Sequence, residues 1–157
     1  MEIDTAYFDE KKKKAKLLYE AQKSIYCPYF RSPVILNADG FHHLQFSSRR
    51  ERGKLEQVLK FRLLSHALDV IKKSGTIQEY RKSLAPIGKK STRDGAVPLK
   101  HVEYWAFVAI VGERLIKIRV ILRRVGDGNI IFWSVMPDSK IRDGKQRLFS
   151  KDIEADE

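Results

Sequence analysis

Apolar residues recur at helical spacing through the first half of the chain and alternate with polar ones through the last third. Tyr7, Phe8, Ala15, Leu18, Tyr19 and Ile25 predict a helix over 5–25. Cys27-Pro28 closes it, because a proline disfavours helical backbone in the residue before it. Ser32–Leu36 reads as a short strand, followed by the turn-forming string Asn37-Ala38-Asp39-Gly40. A long helix is expected over 55–73, with Leu59, Leu63, Leu64, Ala67, Val70 and Ile71 inward and Arg62, Asp69 and Lys73 outward. Glu56 and Lys60 lie on its apolar side one turn apart, which places them at a cleft on the edge of the core. Thr76 with Glu79 has the pattern of a capping box and predicts a short helix to Leu84. A mobile basic loop is expected over 85–100.

Three β-rich runs follow: 102–111, 115–125 and 130–136, separated by Gly112-Glu113 and by Gly126-Asp127-Gly128-Asn129. Both separators are hairpin signals, pairing Val111 with Arg114 and Val125 with Ile130. One face then carries Trp105, Phe107, Ala109, Ile116, Ile118, Val120, Leu122, Ile131, Trp133 and Val135, the side the helices must cover. The other carries Tyr104, Ala106, Lys117, Arg119, Ile121, Arg123, Phe132, Ser134 and Met136, and is expected to be open, basic and partly aromatic. The expectation is an α+β fold: N-terminal helices packed on one face of a four-stranded antiparallel sheet. It divides into a basic helical extension (1–30), the main domain (31–137) and a polar tail (138–157).

Charge changes this picture from a fold to a partner. The 157 residues carry 31 Lys and Arg against 20 Asp and Glu, a formal net charge of +11. An excess of that size favours polyanions, because each neutralised phosphate releases counterions. Nucleic acid therefore leads over an anionic membrane or an acidic protein. No apolar run approaches the roughly 18 residues of a membrane span, and the chain opens on charged residues, so a cytoplasmic protein without a membrane partner is expected. One cysteine excludes an internal disulfide and a Cys-rich zinc site. Adjacent histidines with no third ligand at a suitable spacing argue against a metal, and nothing calls for a cofactor. The run Lys11 to Lys14 reads equally as a solvated helix face or as a phosphate-tracking surface.

Arginines beside exposed rings suit single-stranded RNA, since guanidinium groups hold phosphates and rings stack on bases. RNA supplies its own nucleophile, the 2′-hydroxyl, so cleavage needs only an acid, a base and cations for the phosphorane. Of the four histidines, His66 and His101 read as surface residues, while His42 and His43 precede a cluster of arginines and are the candidates. Arg49, Arg52, Lys54, Tyr104, Lys117, Arg123, Phe132 and His42 form the expected RNA-binding set.

Phe41-His42-His43-Leu44, the stretch 54–67 with Phe61 and Leu63-Leu64, Lys117 to Arg123, and Phe132-Trp133-Ser134-Val135 together resemble phage and plasmid toxin domains of the barnase, EndoU, colicin and RelE nuclease superfamily. The resemblance covers roughly 32–136 and rests mainly on the order of elements. It implies a metal-independent endoribonuclease leaving a 2′,3′-cyclic phosphate. By that likeness His43 is the acid or base, Arg119 and Lys60 stabilise charge, and Ser134 orients the phosphate. It further implies tRNA or ribosome-associated mRNA as substrate and an acidic antitoxin or immunity protein as partner. The competing expectations are a noncatalytic RNA- or ribosome-binding module and an inhibitor acting on DNA or a nucleoprotein.

Overall fold

The computed structural model describes residues 3–47, 49–142 and 145–148, with side chains as far as Asp138. The helix α1 (Thr5–Gln22) leads into β1 (Ser24–Cys27) and β2 (Ser32–Ile35), and α2 (Ala38–Gln45) and α3 (Lys54–Lys73) follow. Then come β3 (Glu79–Pro86), β4 (Leu99–Val111), β5 (Ile116–Val125) and β6 (Ile131–Pro137), with a hairpin of β7 (Ser139–Arg142) and β8 (Lys145–Leu148) last. The main sheet runs β1-β2-β6-β5-β4-β3, antiparallel except where β2 meets β6. The α+β class with helices on one face therefore stands, but the sheet has six strands rather than four. Residues 1–30 supply α1 and an edge strand of that same sheet. The tail expected over 138–157 begins as the β7–β8 hairpin, and residues 149–157 lie outside the described residues.

Tyr19 of α1, Phe41 and Leu44 of α2, and Phe61, Leu64 and Ile71 of α3 pack on Trp105, Phe107, Ile118, Val120 and Leu122 of the sheet. The inward stripe of α3 follows the wheel, with Leu63, Leu64, Ala67, Val70 and Ile71 buried and Leu59 partly so. Ring stacking continues the contact: Phe41 lies on Phe61 at 5.8 Å between centroids. Gly40 is obligatory in this layer. A Cβ there would fall inside contact distance of the Phe132 carbonyl oxygen and 2.6 Å from the Tyr19 hydroxyl, so α2 could not approach the sheet.

Several local expectations are overturned. The first helix stops at Gln22, and Ser24–Cys27 is extended because it pairs with Ser32–Ile35. Asn37 to Gly40 is not a free turn; Asn37 caps α2, its side chain accepting from the Gly40 backbone N–H at 3.0 Å. The stretch 76–84 holds strand β3 rather than a helix, since Glu79–Pro86 alternate in burial and pair residue by residue with Leu99–Ala106. Tertiary pairing outweighs a local cap signal there. The loop expected over 85–100 shortens to 87–98, the strands extending into both of its ends.

The first hairpin closes with four residues, pairing Val111 with Ile116 instead of Arg114. Slippage by two preserves the faces, since side chains alternate with period two. The second register holds from Ser134 onward, opposite Ile121, but a bulge lies between Ile121 and Leu122. Phe132 therefore pairs with Leu122 and enters the core, while Trp133 turns to the other face, the reverse of expectation.

That other face is not open. Val102, Tyr104, Ala106, Ile121 and Met136 form a second buried cluster, Ile121 and Ala106 being fully inaccessible. Its middle is apolar and its charged groups sit at the margins, so burial prevails. Ile121→Ala should consequently lower unfolding free energy by about 2–5 kcal/mol, as for other buried isoleucines. Denaturant titration checks this, and a change under about 0.5 kcal/mol would mean that the face is solvated.

Candidate functional site at the edge of β6

β2 meets β6 through the pair Ile35↔Ile131, and no described strand lines the outer edge of β6 beyond it. Backbone carbonyls on that edge must find other donors or bear a penalty of about 1–3 kcal/mol each. The helices supply them. His43 of α2 places Nδ1 3.1 Å from the Trp133 carbonyl, and Lys60 of α3 donates from Nζ to the Val135 carbonyl at 2.9 Å and to Ser134 Oγ at 3.0 Å. The same Nδ1 lies 3.5 Å from Arg52 Nη2, so the imidazole is held between a carbonyl and a guanidinium.

Around this seam the sequence candidates separate into three groups. His43, Lys60 and Ser134 are together and buried, at 5%, 3% and 0% exposure. Arg52 is buried with them: its Nε donates to the His43 carbonyl at 3.0 Å, closing the C-terminal end of α2, and its Nη1 meets Glu56 at 3.3 Å. Arg119 belongs to another neighbourhood. It lies on the same sheet face as Ser134, but its guanidinium is clasped by Asp138 at 2.8 Å and by Glu79 at 3.5 Å, with Lys117 adding a 3.2 Å contact to Asp138. Two carboxylates offset that cation where it stands. Tyr104 and Phe132 are buried in the two cores, whereas Arg49 and Lys54 are exposed near the start of α3.

The third group surrounds a cleft of about 430 Å³ lined by Asp39, His42, His43, Phe46, Ser47, Arg123 and Trp133. Arg123 sits four residues along β5 from Arg119, about 13 Å at strand rise. Its guanidinium lies 4.2 Å from the Trp133 ring centroid and 5.7 Å from that of Tyr104. Burial pulls the Arg123 pKa below its ordinary value, and the Asp39 carboxylate opposes that pull. Arg123 Nε and Trp133 Nε1 are buried donors with no hydrogen-bond partner among the described residues. His43 stacks on Trp133 at 4.2 Å and His42 on Phe46 at 4.5 Å. His42, in contrast to His43, is exposed to solvent.

Asp39, Phe46, Ser47 and Trp133 were not singled out from sequence as site residues. Asp39 and His42 stand at i and i+3 on α2, hence on one face, a spacing visible only once Asn37 is read as a cap. Trp133 was legible as aromatic but not as cleft-facing, because a bulge has no sequence signature of its own. Among the described residues, no three His, Cys, Asp or Glu side chains come together to hold a metal ion. No described helix is long and apolar enough to cross a membrane.

Compared with known proteins, the chain matches no family model, no curated protein and no solved structure.

If Lys60 closes the β6 edge, Lys60→Met leaves the Val135 carbonyl and Ser134 hydroxyl short of a donor. A loss of about 1–3 kcal/mol is expected in urea unfolding; an unchanged or raised midpoint would contradict it.

Proposed function

We propose that the protein is a metal-independent endoribonuclease that binds RNA in the Arg123–Trp133 cleft and cuts it by attack of the 2′-hydroxyl. One observation supports the reading above the others: Arg123 and Trp133, whose Nε and Nε1 are buried donors with no hydrogen-bond partner among the described residues, line the cleft that also holds two histidines and a carboxylate. Buried donors of this kind are costly unless an acceptor arrives, and phosphate oxygens are acceptors that a guanidinium favours. The formal charge of +11 brings the polyanion there.

In the proposed reaction the RNA phosphate lies against Arg123, and a neighbouring base stacks on Phe46. Asp39 accepts the 2′-hydroxyl proton as the oxygen attacks phosphorus. His42, exposed in the cleft and one turn from Asp39, donates a proton to the departing 5′-oxygen. The 2′-O–P bond forms as the P–O5′ bond breaks, leaving a 2′,3′-cyclic phosphate and a 5′-hydroxyl. Arg123 stabilises the charge that grows on the nonbridging oxygens. His43, buried with Nδ1 committed to Trp133, acts as a positioning residue that sets the ring wall. Arg119, Lys60 and Ser134 hold the sheet and its edge.

This reading keeps the superfamily likeness as part of the proposal, with the antiparallel quartet β3 to β6 as the nuclease core. An enzyme of this kind acts in the cytoplasm and is restrained by an acidic antitoxin or immunity protein. The noncatalytic alternative, an RNA-binding module, uses the same cleft without proton transfer.

The test is incubation with total RNA in excess chelator and mapping of the ends. Cyclic phosphate termini are expected, blocked by a 2′-deoxy residue at the cut. His42→Ala should slow cleavage about 10²–10⁴-fold while RNA binding persists, and Arg123→Ala should weaken both. Intact RNA, or ends bearing 3′-hydroxyl and 5′-phosphate, would refute the mechanism.

A further inference from the structure

β4 outruns its neighbour on one side. Val102 pairs with Val125, the last residue of β5, and the His101 carbonyl accepts from the Gly126 N–H at 2.7 Å, whereas Leu99 and Lys100 pair only with Pro86 and Ala85 of β3. These two rungs carry a two-stranded ribbon about 7 Å past that last contact at strand rise. Beyond them the segment 87–98 folds back on itself: Ile87 N–H donates to the Pro98 carbonyl at 3.0 Å, Ser91 N–H to the Ala96 carbonyl at 2.8 Å, and Gly95 N–H to the Ser91 carbonyl at 2.9 Å. The tip has a shape of its own.

Its charge is one-sided. Residues 87–101 carry Lys89, Lys90, Arg93 and Lys100 against the single carboxylate of Asp94, a net charge of +3, and all four cations are exposed. Leu84 and Leu99, 59% and 66% exposed, lie on one side of the ribbon. Its base packs on the second buried cluster through Ala85 and Ile87, while the cations beyond stand exposed and close together in the chain, an electrostatic disadvantage that a polyanion removes.

Its location ties it to the cleft. Arg123 pairs with Tyr104, two rungs from the end of β5 where the ribbon leaves the sheet. Cleft and ribbon therefore occupy the same end of the sheet, with the tip about 17 Å or more from the Arg123 rung. We infer that the β3–β4 ribbon is a second RNA contact: its tip cations grip the backbone phosphates of a strand that continues out of the cleft, so the substrate is a long RNA rather than a short oligonucleotide. The inference rests on the RNA reading of the cleft, but it concerns binding at a distance and not the cut itself. RNA is favoured over an acidic protein because the shared end of the sheet lets one continuous polyanion occupy both sites.

The test compares the intact protein with a variant carrying Lys89→Gln, Lys90→Gln, Arg93→Gln and Lys100→Gln. The ligands are fully 2′-deoxy-protected, uncleavable strands: one hexanucleotide and one of about 24 nucleotides. The long strand should bind the variant at least tenfold more weakly, with a plot of log affinity against log salt shallower by about 3, as expected when four phosphates of a single strand are no longer neutralised. The hexanucleotide should change less than twofold, which also reports an intact fold. Unchanged affinity and slope for the long strand would overturn the inference and leave an acidic protein surface as the tip's partner. An equal loss for both strands would overturn it as well, since that marks a diffuse field and not a distal contact. A wild-type protein that binds the long strand yet never cuts ordinary RNA would refute the cleavage mechanism without touching the ribbon result.

Discussion

The outer edge of β6 constrains everything around it. Past the Ile35↔Ile131 pair, its carbonyls face helices instead of a strand, and a strand edge inside a protein must be satisfied by something. His43 and Lys60 perform that task with side chains rather than a backbone ladder. Side chains need more room than a strand does, and that room is where the cleft opens. Burial of two chemistry-bearing residues at 5% and 3% exposure thus follows from sheet topology before any question of substrate.

The bulge at Trp133 completes the arrangement. Without it, strict alternation would send the indole into the helix-covered core and Phe132 outward. With it, Phe132 fills the core beside Tyr19 at 6.0 Å, and Trp133 comes round to meet Arg123 and the ring of His43. One extra residue in a strand moves a cation, an indole and an imidazole into a shared wall. Bulges beside functional clefts commonly re-aim a side chain in this way. Gly40 belongs to the same account, because its missing Cβ lets α2 lie close enough for His43 to reach the edge.

Much of this was legible in the chain. The 3.6-residue stripe of α3 and the alternation of β4 and β5 came straight from side-chain periodicity, and the first hairpin's error of two residues left the faces of those two strands intact. Lys60 was placed at a cleft on the edge of the core on helical geometry; it lies at that edge, but buried against Ser134 and Val135 rather than lining the cleft. Three kinds of information were missing. Asn37-Ala38-Asp39-Gly40 satisfies both turn and cap chemistry, and only the apolar contacts of Phe41 and Leu44 with the sheet decide between them. Thr76 and Glu79 mimic a helix start, but the long β4 offers eight backbone partners that a short helix could not match. The burial of Arg119 depends on Asp138 and Glu79, 19 and 40 residues away in sequence, beyond any local pattern.

The central claim is that Trp133 walls a nucleic-acid cleft, and its own fluorescence reports on that most directly. The chain has two tryptophans, so Trp105→Phe leaves Trp133 as the single emitter. Titration with an uncleavable single-stranded oligonucleotide should quench and saturate the Trp133 signal as a phosphate settles against it, and Arg123→Ala should weaken the saturation. Emission from Trp133 that stays constant while the oligonucleotide demonstrably binds would place the nucleic acid elsewhere and contradict the account.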